Sequence, residues 1–166
     1  MMTDSTTIET LMKQLASEDT IERQNARYKL IARGREAVPF LIGALEDRKH
    51  WMRWEAAKAL SQIGDSTAID ALVATLRDPE FDVRWLAAEG LIVIGPPSIP
   101  AVLQKLVDEP ESLVVKEGVH HVLHDMAKGS LYELLQPVKM SLEGSGPLQP
   151  EVIAQETLKK LNEFNS

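Results

Sequence analysis

Glu117, His120, His121 and His124 fall within one short stretch of the chain. On a helix, residues three, four and seven apart share a face, so these four would gather on a single arc. Imidazole and carboxylate together are good ligands for zinc, iron or nickel. The same histidines could instead act as a charge switch, since histidine ordinarily titrates near pH ~6.5. A metal centre needs ligands converging from more than one element, and the sequence names no second one. His50 is the only other histidine. The expectation is a solvated polar face with titratable histidines, without metal or cofactor.

Aromatic residues form a second set with chemical capacity. At 100° per residue on a helix, Trp54, Lys58 and Ser61 point away from Ala56, Leu60 and Ile63. Equivalent stripes are Gln24, Tyr28 and Ile31; Trp85, Glu89 and Ile92; and Glu117, His121 and His124. Large aromatics that the core does not need can anchor an interface. They can equally pack over the joint between neighbouring segments with one edge exposed, and both roles stay open. Trp51 begins its segment and reads as a packing staple.

Arg53 and Arg84 each follow an aspartate, Asp47 and Asp78, by six residues. That spacing suits a structural ladder, in which each arginine ties a turn to the helix after it and to the next unit. Other chemistry is missing. The chain has no cysteine, which removes disulfides, thiolate metal sites and cysteine nucleophiles. No recognisable Ser/His/Asp set occurs, and Gly144-Ser145-Gly146-Pro147 lacks the Lys-Ser/Thr of a phosphate loop. The expectation is a protein that is not an enzyme.

Acidic residues number 25 against 18 basic ones, for a formal net charge of -7. That balance argues against nucleic acid and anionic membranes as partners. The start of the chain is polar and unlike a signal peptide. The longest apolar candidate, Trp85 to Leu103, is interrupted by Glu89, Pro96, Pro97 and Pro100. A cytoplasmic location without membrane contact is the expectation.

These residues must be positioned by a repeat. Met52-Arg53-Trp54-Glu55-Ala56-Ala57 through Leu60 to Ile63-Gly64 lies over Val83-Arg84-Trp85-Leu86-Ala87-Ala88 through Leu91 to Ile94-Gly95. The frame extends upstream to Glu22-Arg23 through Leu30 to Gly34, and downstream to Val115-Lys116 through Leu123 to Ala127. A degenerate last copy sets Ala154, Leu158 and Leu161 in the places of Ala87, Leu91 and Ile94, with Glu151 in place of the basic anchor. Each unit reads as a short helix, a polar turn and a longer helix that stops at a glycine. One such pair cannot cover its own apolar face, but a stack of them can. The polar residues of the last helix would face water, while Leu158, Leu161 and Phe164 cap the stack.

An acidic turn followed by Val-Arg, two alanines, Leu and Ile-Gly resembles the HEAT-like repeats of the phycobilin-lyase type. The likeness is good over residues 8 to about 129 and loose beyond. It implies an all-α fold, a right-handed α-α superhelix (a HEAT-like solenoid) of about five antiparallel helix pairs. One domain would span 1–166, with approximate repeats 6–34, 36–64, 66–95, 98–128 and 130–164. It also implies that the second helices line the concave face. Tyr28, Trp54, Lys58, Trp85, Glu89, His121 and His124 would then lie along an inner groove. The function implied is a scaffold or adaptor that binds another protein. A chromophore-handling or lyase-subunit role is the alternative. DNA-binding relatives need a basic lining, whereas Glu89 and Glu117 oppose Lys58 here. Deoxyhypusine hydroxylase, an iron-binding relative, uses His-Glu pairs that read Trp54-Glu55 and Trp85-Leu86 in this chain, so that activity is not implied.

Overall fold

The computed structural model describes residues 6–164, with side chains through Glu163. Among these residues the regular structure is entirely helical. The helices are α1 Ile8–Leu15, α2 Thr20–Arg33, α3 Val38–Ala44, α4 His50–Ile63, α5 Ile69–Thr75, α6 Phe81–Ile94, α7 Ile99–Asp108, α8 Leu113–Met126, α9 Tyr132–Leu142 and α10 Pro150–Phe164. Short 3-10 turns lead into α3, α5, α7 and α9.

Local chemistry sets the ends. Asp19 caps α2, its Oδ1 accepting from the Ile21 and Glu22 amides at 2.7 and 3.2 Å. Before α4 and α6, Asp47 and Asp78 accept from the Lys49 and Glu80 amides at 2.8 and 2.9 Å. These bonds fix the turn rather than the first helical residue. Gly34, Gly64 and Gly95 end α2, α4 and α6 with φ of 57°, 66° and 82°. A side chain would strain that conformation, so glycine stops the helix.

The longer helices α2, α4, α6 and α8 pack on one another in sequence, and the shorter helices flank them. Ala56, Ala59, Ala87 and Ala88 are buried along this row. Leu30, Leu60, Leu91 and Leu123 fill the space between the rows. Gly90 brings α6 closest: a Cβ there would lie 2.9 Å from Leu72 Cδ1 and 3.4 Å from the Ser61 Cα. The longer helices α2, α4, α6 and α8 thus form one continuous row, with α4 and α6 in the most extensive contact.

Three expectations change. Ser61 does not face outward; it is 6% exposed, and its hydroxyl donates to the Lys58 carbonyl at 2.9 Å. It sits where α6 approaches most closely, which leaves no room for a solvated side chain. Ile63 and Ile94, expected to be buried as the last apolar residues of α4 and α6, are only half-buried, though packed against the core. The last pair also departs from the repeat. α9 packs on α8, while α10 packs on α7 and α9 rather than lying along α8. The connector Glu143–Gln149 folds back on α9, where Ser141 Oγ donates to the Leu148 carbonyl. A Cβ on Gly146 would fall 2.8 Å from the Ser141 Cα, so only glycine permits that fold-back. Ala154 is buried there, and Leu158 and Leu161 are half-buried, but against a different neighbour from the one the repeat frame implies. The Phe164 side chain lies outside the described residues.

No single helix among the described residues is long and apolar enough to cross a membrane. The apolar stretch from α6 into α7 is bent by 119°.

Candidate functional site

The arginine ladder is built on backbone carbonyls. Arg23 donates to the carbonyls of Ser17 and Glu18 at 3.0 and 2.9 Å, Arg53 to Asp47 at 3.0 Å, and Arg84 to Asp78 and Pro79 at 2.8 and 3.1 Å. Arg53 also forks onto the next turn: its Nε and Nη2 meet the two Asp78 carboxylate oxygens at 2.6 and 3.1 Å. This hydrogen bond is the main reason the Arg53 pKa is raised. Asp47 meets Arg53 through its backbone carbonyl, while its carboxylate anchors its own turn at the Lys49 amide.

Beside the ladder runs a pair that sequence reasoning missed. Arg27, 7% exposed, and Glu55, 4% exposed, are buried against each other between α2 and α4. Arg23 Nε lies 3.5 Å from the other Glu55 oxygen. The signal was available. Arg27 stands where the next unit has Ala57, and Glu55 where the following one has Leu86. Two charges in apolar places of one repeat frame point to each other.

Arg27 also joins the first two aromatics of the stripe. Its guanidinium carbon lies 5.3 Å from the Tyr28 ring centroid and 5.4 Å from that of Trp54. Tyr28 is 54% exposed and accepts at its hydroxyl from Gln24. Trp54 is half-buried and packed against the core, so the packing role describes much of its surface; Lys58 is half-buried beside it. Trp51 is also half-buried against the core, with Arg23 and Lys49 over its ring.

Trp85 differs. It is 46% exposed, and its ring lies 4.0 Å from the His121 ring, tilted by 34°. His121 Nε2 donates to Glu89 Oε1 at 2.8 Å, which fixes the imidazole under the indole. Phe81, one turn before Trp85, lies 6.0 Å from it and is exposed. These side chains wall an open cleft of about 610 Å³ between α6 and α8, completed by Arg84, Val114, His120 and His124. A shallower hollow continues past Phe81 to Trp54. Phe81 was missed by sequence reasoning, although its spacing of four from Trp85 places it on the same face.

The histidine arc divides. His121 turns toward α6, where Glu89, His121 and Asp125 bring ligand atoms within 4.8 Å of one another. His120 and His124 turn toward the end of α9, where Glu143 joins them within the same distance. Glu117 belongs to neither group and lines the cleft. His120 Nε2 donates to Glu143 Oε1 at 3.0 Å, and Lys139 reaches the same oxygen at 2.8 Å. The His120 hydrogen bond first, and the Lys139 bond second, hold the Glu143 carboxyl down at about 2. Glu143 and Asp125 were not foreseen. Asp125 is four residues beyond His121 and was readable by spacing. Glu143 comes from the end of α9, just past its last helical residue, and no period reaches it.

Comparison with known proteins adds one match. A family model described as HEAT repeats covers residues 8–92, just over half of the chain and almost all of α1 to α6. No curated protein matches the chain.

Proposed function

The chain belongs to the HEAT-repeat family, and from that premise we propose that it is a non-catalytic module that holds another protein in the cleft between α6 and α8. HEAT repeats commonly serve as protein-interaction scaffolds. One observation carries the reading for this chain: Trp85 is half in water, yet its ring is locked by His121. A large aromatic held rigid on the wall of a cleft loses little conformational entropy when a partner covers it. Phe81 widens the apolar floor, and Trp54 extends it toward the N-terminal helices.

The test is capture of partners from the native source by the wild-type protein and by Trp85→Ala, with Trp54→Ala and the double variant beside them. Circular dichroism checks that each variant keeps its helices. Partners held in the cleft are lost or weakened with Trp85→Ala, and more so with the double change. Partners retained in full by the double variant refute this site. Titration with a bilin, followed by absorbance, addresses the chromophore-handling alternative; an unchanged spectrum retires it.

A further inference from the structure

We propose that His120, His124 and Glu143 form a surface site for a borderline divalent cation, zinc(II) foremost, that clamps α8 to the end of α9. The histidines alone would be a face of one helix. Glu143 supplies the second element, 23 residues away in sequence, and its position follows from α9 packing on α8.

The geometry is close to what the cation requires. Bonds of about 2.0–2.2 Å at tetrahedral angles set ligand atoms about 3.3 Å apart. His120 Nε2 and Glu143 Oε1 are already 3.0 Å apart, and His120, His124 and Glu143 each offer a ligand atom within 4.8 Å of the others. The His120 and His124 rings are 6.0 Å apart and tilted by 38°, and the exposed His124 side chain must turn to close the set. Zinc takes the place of the proton that now bridges His120 and Glu143. Two imidazoles and a carboxylate suit zinc, nickel or copper better than magnesium or calcium, which prefer oxygen alone. Water completes the coordination, because His124 and Glu143 are exposed.

One group opposes the cation. The Lys139 ammonium holds Glu143 Oε1 at 2.8 Å and must swing away on its flexible stem. The Glu89, His121 and Asp125 group is the rival on the same helix, but it has only one imidazole and is braced against Trp85.

The experiment is titration of the full chain, carrying no histidine tag, with zinc(II) by calorimetry. Cobalt(II) absorbance serves as a second readout. One ion per chain is expected. His120→Ala and His124→Ala should each weaken binding by more than the ~10–100-fold that loss of an outer partner of a metal ligand costs. Glu143→Gln should weaken it too, Lys139→Met should tighten it, and Asp125→Asn should leave it unchanged. Zinc should raise the melting temperature of the wild type and not of the His120→Ala/His124→Ala double variant. The proposal is overturned if the wild type takes up no ion at micromolar zinc. It is equally overturned if the double variant binds as the wild type does, or if Asp125→Asn abolishes binding.

Discussion

At the residue scale, the buried Arg27–Glu55 pair is the most exacting feature of the chain. A buried ion pair gives little net stability against a well-packed apolar replacement, but a half-broken one is costly. Arg27→Ala should therefore destabilise by about 3 kcal/mol, because it leaves the Glu55 carboxylate buried with weaker compensation from Arg23. Glu55→Leu should cost a similar amount by stranding Arg27. Arg27→Ala/Glu55→Leu installs the residues that neighbouring units carry, and its cost should fall well below the sum of the two singles. Urea midpoints of the four proteins measure this coupling, and simple additivity would refute it. A milder case is Asp65, whose carboxylate accepts from the Thr67 hydroxyl at 2.5 Å and the Thr67 amide at 2.9 Å. These bonds, the hydroxyl first, lower its pKa below the ordinary 3.8. A lowered folded value means that the contribution is full above pH 3.8 and fades as pH falls past it. An NMR titration of the Asp65 carboxyl should place its midpoint below the ordinary 3.8. The buried pair was legible in the repeat frame, as two charges in apolar places. The split of the histidine arc was not, because it depends on which helices flank α8.

At the element scale, what is local in the chain could be read and what depends on stacking order could not. The glycine stops, the aspartate turns and the alternation of short and long helices all follow from periods and dihedrals within one unit. The Arg53 fork onto Asp78 belongs to the joint between units, yet it was legible because the repeat places one ladder residue opposite the next. Arg53→Ala should cost about 3 kcal/mol, since it leaves Asp78 buried without its partner, and Arg53→Lys should restore only part of that. A urea titration would read both. The exchanged position of α10 could not be read, because Ala154, Leu158 and Leu161 satisfy the same frame wherever their apolar face is buried. The absence of cysteine makes this placement directly measurable, since single cysteines can carry spin labels without background. Labels at Glu156 on α10 and Gln104 on α7 should report a shorter distance than labels at Glu156 and Glu117 on α8. The reverse order would mean that α10 completes a regular repeat.

At the scale of the whole molecule, the chain is a stack in which each unit gains stability mainly from its neighbours. Its centre is the contact of α4 with α6, where Gly90 meets Ser61 of α4 with Leu72 of α5 beside it. The same two helices carry Trp54 and Trp85, so the spacing of these aromatics in the proposed binding face depends on how closely the helices approach. Gly90→Val should gain a few tenths of a kcal/mol in helix propensity but lose about 1–3 kcal/mol to overpacking. In a globular core such a loss only lowers the midpoint. In a short stack it also uncouples the two sides, because a weakened central joint removes the coupling that makes them unfold together. The expected outcome is a lower urea midpoint with a shallower slope. Amide exchange of α1 to α4 should then report a different opening free energy from that of α7 to α10. A single transition of unchanged slope would show that contacts beyond nearest neighbours hold the molecule together.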